Sequence, residues 1–393
     1  MPTGIDAPIV IIGAGMAAWN VAKELRKLDK TVPVLLVSQD AAGSYAKPML
    51  SNAIALGKAA HQIVSSTAGQ MAAQLALDVL PHTQVSAIDP AARTVTTATG
   101  QRLAYSKLVL ALGAHPVRLT LGGDAADAVL SVNHVDDYAQ LRTRLDEVDA
   151  AHGRPARVAI IGAGLIGCEF AEDLAAGGHA VTLIDPNSRP LSSLAAPSLS
   201  HGLTAAWAGR TIALKLGTTA ASVDRVEGGL RIGLANGDTV VADLVISAVG
   251  LRPATGLAQA AGLAVRRGIV VDAHGQTSTN DIYALGDCAE YSTAGGSSVL
   301  PYVTPLLTAA RAIAATLTGT LTRIELKLDA VIVKTPSYKL AFCPPPPGVA
   351  GAWVDQHDGE RIIARFIDQA GTLRGFGLSA HTPALRAKLL AEL

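Results

Sequence analysis

Ile9-Val10-Ile11-Ile12-Gly13-Ala14-Gly15-Met16-Ala17-Ala18 opens the first legible unit of the chain, and an amphipathic run continues from Met16 to Leu28. Four β-branched residues in a row read as a buried strand, and apolar positions at helical spacing read as a helix. Val34 to Val37 then supplies a second strand and closes a βαβ unit. In a Gly-x-Gly-x-x-Gly/Ala turn the glycines let the backbone approach a pyrophosphate, and the helix N-terminus presents free N–H groups to its charge. Here Ala18 takes the last position, and Ile12, Gly13, Ala14, Gly15, Met16 and Ala17 are the residues placed against the phosphates.

The same grammar returns at Val158 to Ile161, followed by Gly162-Ala163-Gly164-Leu165-Ile166-Gly167, a helix to about Ala176 and a strand from Ala180 to Ile184. One such match is a weak signal; two, each inside its own βαβ context, imply two bound dinucleotides. In the second unit Gly162, Gly164, Leu165, Ile166 and, further on, Gly250 are expected to line a nicotinamide nucleotide. Asp185 ends the second strand about 20 residues past the first glycine, where a carboxylate accepts from ribose hydroxyls and repels a 2′-phosphate. That favours NADH over NADPH. Arg189 lies close enough to soften the preference, or is an ordinary solvated arginine. The first unit departs from the pattern, since its strand ends at Ser38, with Gln39 and Asp40 after it.

At 393 residues the chain exceeds one ordinary core. With 49% apolar and 16% charged residues it has a globular profile, and 32 basic against 32 acidic residues leave no global field to point to nucleic acid or an anionic membrane. Cys168, Cys288 and Cys343 lie far apart, in no zinc or disulfide pattern, which suits a reducing cytosol. The N-terminal MPTGIDAP meets glycines too soon for a signal peptide, and no apolar run reaches the roughly 18 residues of a membrane span. Leu108 to Ala111 and Leu244 to Val249 read as further buried parallel strands, and His152-Gly153-Arg154-Pro155 as a linker. Past Thr318-Gly319-Thr320, the runs Ala330 to Lys334, Arg361 to Ile367 and Leu373 to Leu378 alternate like antiparallel strands, with a stiff loop at Pro344 to Pro347 and a final helix from Pro383 to Leu393. The expected fold is α/β: two Rossmann-like dinucleotide-binding domains, the second inserted into the first, and a smaller α+β C-terminal domain. The divisions are 1–117 with 245–319, 118–244 and 320–393.

Four further stretches carry a family resemblance. They are Ser44-Tyr45-Ala46-Lys47-Pro48-Met49-Leu50-Ser51, Gly164 to Phe170, Ala248-Val249-Gly250-Leu251-Arg252-Pro253, and Ile282-Tyr283-Ala284-Leu285-Gly286-Asp287-Cys288-Ala289-Glu290. Together the chain resembles the two-dinucleotide flavoprotein reductases, and among them the rubredoxin reductases. The resemblance implies FAD in the first unit and NADH in the second. It makes Asp287 a partner of a ribitol hydroxyl, with Thr277 and Ser278 in the same motif. Leu108 to Gly113 resembles the strand returning from the FAD domain, except that Ala111-Leu112-Gly113 stands where the family usually has Ala-Thr-Gly. Lys47 and Pro48 resemble the flavin-side loop, with Lys47 near the isoalloxazine or the pyrophosphate. Lys334 resembles a lysine lent to the flavin by the C-terminal domain. Val85 matches a residue whose backbone reads the FAD adenine edge, and Val303 one at the start of a helix facing the flavin N1, with Thr304 and Pro305 as N-cap and first turn. Glu169 is implied at the seam between nicotinamide and flavin. Ser38 and Ala111 complete the FAD set.

Hydride transfer onto a flavin needs ring stacking and charge stabilisation rather than a nucleophile, so Lys47, Glu169 and Lys334 are the expected catalytic groups. Relatives that reduce disulfides or peroxides carry cysteine in the loop after the second strand, and Gly43 to Ser51 has none. The resemblance then implies electron transport to rubredoxin, a small acidic iron protein. Other acceptors stay open: a ferredoxin in an oxygenase system, or oxygen in a flavin NADH oxidase. A non-enzymatic reporter of redox state would also share the motifs. The acceptor that sustains turnover separates these.

Overall fold

The computed structural model of the protein describes residues 7–293 and 296–393. Residues 1–6, most of the segment read above as too short for a signal peptide, lie outside the described residues. The chain folds into two compact units, one of Met1–Lys47, Val64–His115 and Leu251–Lys327, the other of Pro48–Ile63, Pro116–Gly250 and Leu328–Leu393.

The first unit is built on a five-stranded parallel sheet in the order Ile282–Ala284, Lys107–Leu110, Ile9–Ile12, Val34–Val37, Asp78–Leu80. Numbered along the chain this is 5-4-1-2-3, the order of a Rossmann sheet, and its switch point falls beside the Ile9–Ile12 strand. All four residues of that strand are buried, which explains why its sequence shows no alternation. Met16–Leu28 folds as the expected helix, burying Ala18, Val21, Ala22 and Leu25 in one core with Ala309, Ala310 and Ile313 of the helix Val303–Leu317.

The second unit repeats the arrangement. Its parallel sheet runs Ile212–Leu216, Ala180–Asp185, Arg157–Ile161, Leu244–Ser247, again 3-2-1-4 along the chain. Because Leu244–Ser247 pairs with Arg157–Ile161, the chain returns to the first unit at Leu251 and not at residue 245. The stretch around His152 is the end of a helix, Val135–His152, which Gly153 closes in the left-handed conformation. An antiparallel meander of Ala220–Val226, Gly229–Leu234 and Thr239–Ala242 shares a core with this sheet through Val223, Ile232 and Val245. The C-terminal module is a five-stranded antiparallel sheet ordered Val331–Val333, Leu340–Cys343, Leu373–Ser379, Arg361–Asp368, Gly351–Asp358. Thr382 caps its final helix, Pro383–Ala391, by accepting from Leu385 N–H.

Candidate functional site

The first fingerprint turn divides its glycine requirements between fold and ligand. Gly13 has φ +110, and a Cβ there would lie 2.3 Å from Ala111 O, so this glycine lets the two strand ends meet. Ala111 N–H donates to Ile12 O at 2.9 Å. Gly15 has an ordinary φ of −74, and a Cβ built on it would meet no protein atom within 4 Å. It caps the Met16 helix without a side chain, which leaves the first-turn N–H groups to a ligand. A cradle closed at Gly13 and open at Gly15 fits a dinucleotide pyrophosphate.

The other expected residues of this unit are Asp287, Lys47, Ser38, Val85 and Val303. Gly286, with φ +74, sets its turn against the fingerprint helix, where an added Cβ would lie 3.2 Å from Ala17 Cβ. Its N–H donates to Tyr291 Oη at 3.1 Å, a buried hydroxyl whose pKa burial pushes up. Asp287 follows, and Lys47 Nζ is 3.7 Å from its Oδ2. Ser38 is buried, donating from Oγ to Asp40 Oδ1 at 2.8 Å, while Asp40 also accepts from Ala42 N–H at 2.7 Å. Val85 lies half-buried against the core at the start of Val85–Asp89. Val303 is exposed and begins its helix, which starts two residues earlier than the sequence implied: Tyr302 is the N-cap, and Thr304 and Pro305 both lie inside the first turn. A first-turn proline needs no N–H partner, so the sequence tolerates either boundary.

In the second unit Gly162, with φ +108, would place a Cβ 2.6 Å from Ala248 O, and Gly164 again opens onto free space. Gly167 is required by packing, since its Cβ would lie 1.9 Å from Gly162 O; the first fingerprint has room for the Ala18 methyl at that point. Ile166 is exposed at the helix start, and Gly250 has φ +111. Asp185 is buried at its strand end and already accepts from Ala163 N–H at 2.7 Å and from Asn187 N–H and Nδ2, each at 2.8 Å. A carboxylate offers about four lone-pair sites, so acceptor capacity remains for ribose. Arg189 is not the solvated cation of the sequence reading. Its guanidinium donates to Ala195 O at 2.8 Å, Ser200 Oγ at 2.9 Å and Ser192 O at 3.1 Å, and burial lowers its pKa.

The helix that starts at this fingerprint, Leu165–Ala176, buries three carboxylates. Glu169 is 1% exposed and sits 2.6 Å from Lys334 Nζ; it also accepts from Lys334 N–H at 3.0 Å and from Ser51 Oγ at 2.7 Å. Lys334 spends its remaining donors on Ser51 Oγ at 2.8 Å and on Pro48 O. Glu172 accepts from Trp207 Nε1 and from Ser337 Oγ. Asp173 accepts from Ile54 N–H at 3.0 Å and Ala55 N–H at 2.9 Å; burial raises its pKa against the lowering effect of those bonds. Sequence reasoning found Glu169 and Lys334 but not Ser51, Glu172 or Asp173. The signal was there: acids at i, i+3 and i+4 on a helix that is otherwise apolar must meet donors inside the protein.

The three cysteines are buried and free, and burial pushes the thiols of Cys288 and Cys343 up to about 11 and that of Cys168 higher still. None is poised for thiolate chemistry. Among the described residues, no group of His, Cys, Asp and Glu could hold a metal ion, and no helix is long and apolar enough to cross a membrane.

Comparison with known proteins extends what this geometry indicates. The profile of the pyridine nucleotide-disulphide oxidoreductases matches residues 7–314. The chain belongs to that family. A second profile, the rubredoxin binding C-terminal domain, matches residues 323–393. The rubredoxin-NAD(+) reductase of Acinetobacter baylyi is 41% identical over 391 residues, 98% of this chain and 97% of that one. A nitric oxide reductase FlRd-NAD(+) reductase of Aeromonas hydrophila is 40% identical, covering 99% and 97%. Among solved structures, the covalent putidaredoxin reductase-putidaredoxin complex superposes with a TM-score of 0.87 at 25% identity, over 98% of this chain and 92% of that one. As a member of this family the chain is an oxidoreductase that uses FAD and a nicotinamide nucleotide.

Proposed function

We propose that the chain is an FAD-dependent NADH:rubredoxin reductase. Bound FAD supplies a group that takes hydride from NADH as an electron pair and releases the two electrons singly. Ile12 to Ala17 would hold its pyrophosphate, Asp287 its ribitol, and Ser38, Val85, Ala111 and Val303 its remaining edges. Lys47, Pro48, Glu169 and Lys334 would line its reactive side, where the ammonium groups favour the negative charge gained on reduction. Gly162, Gly164, Leu165, Ile166, Asp185 and Gly250 would hold the nicotinamide nucleotide. NADH is favoured over NADPH because Asp185 presents a carboxylate to the ribose while Arg189, the cation nearest in sequence, is spent on Ala195, Ser192 and Ser200.

The observation that carries the acceptor is the match of residues 323–393 to the rubredoxin binding C-terminal domain, joined to a site whose thiols are inert. The test is to record the visible spectrum of the purified protein and follow NADH oxidation with rubredoxin, a ferredoxin and oxygen in turn. Yellow protein that reduces two rubredoxins per NADH is the expected result. Turnover with ferredoxin or oxygen alone would overturn the partner, and colourless protein that cannot be reconstituted with FAD would overturn the whole reading.

A further inference from the structure

Glu172 lies outside everything the nucleotide motifs explain. It follows Glu169 by one helical turn, is 4% exposed, and meets neutral donors: the indole N–H of Trp207, and the hydroxyl and backbone N–H of Ser337. Burying a carboxyl against neutral donors costs stability relative to an apolar side chain of the same shape. A fold that needed only to pack this strand end would not require it.

What Glu172 grips is the turn immediately after Lys334. Tyr338 N–H donates to Thr335 O at 3.1 Å and Thr335 Oγ1 donates to Tyr338 O at 2.8 Å, so residues 335–338 close on themselves. Tyr338 packs onto Gly202 of the helix Pro197–Ala206 so tightly that a Cβ there would lie 2.3 Å from its hydroxyl oxygen. Trp207 caps that same helix and is buried. The main chain around Lys334 is therefore fixed at two points on one helix: its own N–H on Glu169 Oε1, and Ser337 on Glu172. From that anchored segment the lysine directs its ammonium to Glu169, Ser51 and Pro48.

We infer that Glu172, acting through Ser337, is a positioning residue for Lys334: it never touches the lysine but holds the turn that delivers the ammonium. The inference rests on the reading of Lys334 as a cation that serves the flavin. In the FAD-loaded protein, Ser337→Ala and Glu172→Gln should each move the flavin midpoint potential negative, the direction set by Lys334→Ala, and slow flavin reduction at saturating NADH while leaving the KM for NADH near the parent value. Ser337→Ala keeps the Trp207 bond and gives a folded variant should Glu172→Gln melt early. In the Lys334→Ala background, Ser337→Ala should produce no further shift, because nothing is left to position. A potential that moves with Lys334→Ala but stays put with both other variants overturns the positioning inference and leaves the reading of Lys334 standing. Equal shifts from Ser337→Ala with and without the lysine also overturn it. A potential indifferent to Lys334→Ala removes the lysine from the flavin and the inference with it.

Discussion

In the proposed site Asp185 would do two jobs with one carboxylate, which decides how it is best tested. Its Oδ2 holds the Ala163 N–H inside the fingerprint turn, so truncation to alanine would disturb the turn as well as the ribose contact. Asp185→Asn keeps an oxygen for that N–H while removing the charge and the acceptor that Asn187 uses. A charge-assisted hydrogen bond contributes about 1.5–3 kcal/mol, so the KM for NADH should rise roughly 10- to 150-fold with kcat little changed. Steady-state kinetics check this, and an unmoved KM would take Asp185 out of the site. Arg189→Ala, by the same geometry, should leave the KM for NADPH unaltered. Asp243 makes a separate argument from the same unit. With its side chain buried just before the strand Leu244–Ser247, it pairs with Arg154 at 2.8 Å and Arg157 at 2.7 Å and accepts from Arg157 N–H at 2.7 Å. Burial alone would raise its pKa, but these bonds outweigh burial and hold it well below the usual carboxylate range. A depressed folded pKa stabilises above the unfolded value, near 3.9, and that contribution fades as pH falls toward the folded one. Both arginines are more than a third exposed, which discounts the pair. Asp243→Asn should therefore cost about 1–3 kcal/mol at neutral pH in urea unfolding, with a deficit that narrows below about pH 4; the same deficit at pH 7 and pH 3.5 would refute the linkage.

The strand-turn-helix element separates what the fold needs from what the ligand needs. Gly15→Ala puts a methyl where no protein atom lies within 4 Å, so the apoprotein should lose no more than about 1 kcal/mol, the penalty for alanine at an N-cap. FAD content should nevertheless fall sharply, because in the proposed site that space holds the pyrophosphate. Gly13→Ala forces a positive φ on alanine and drives its methyl into Ala111 O, and should destabilise the apoprotein itself. Thermal unfolding of both apoproteins beside their flavin absorbance separates the two effects, and a Gly15→Ala protein that is fully yellow would assign that space elsewhere. Gly164→Ala should behave as Gly15→Ala does, read through NADH. These elements were legible because period and punctuation agree: Met16–Leu28, Val34–Val37 and Leu165–Ala176 stand where glycine turns and apolar spacing put them. In the C-terminal module Leu340–Cys343 was missed because it is buried on every residue and too short to show a period. Gly351–Asp358 was missed for the opposite reason, as an edge strand whose polar residues fall on both faces. At the site, Glu169 was found through resemblance, while Ser51, Glu172 and Asp173 depend on contacts more than a hundred residues away in sequence that no local pattern encodes.

Across the whole molecule, the C-terminal module is covalently last but energetically part of the unit that holds the second fingerprint. Leu328–Leu393 belongs to the same compact unit as Pro116–Gly250, and Lys334 and Ser337 satisfy two of the three buried carboxylates on the helix Leu165–Ala176. Leu199, on the helix Pro197–Ala206, is wholly buried and lies close enough to Gly377 that an added Cβ would be 2.4 Å from its Cδ1. A module that served only to dock a carrier could be cut away, leaving a reductase that still passes electrons to a small inorganic acceptor. This one cannot be removed so cleanly. Deleting residues 328–393 strips Glu169 of its lysine and Glu172 of its serine, and an uncompensated buried charge alone costs about 3–5 kcal/mol, a large share of an ordinary domain's stability. The truncated chain should melt far below the parent, expose the residues around Leu199 and Trp207 to protease, and lose NADH oxidation with ferricyanide as well as with rubredoxin. Should it instead keep the parent's melting temperature and its ferricyanide rate while losing only rubredoxin, the buried carboxylates would not be what joins the module to the sheet of the second fingerprint.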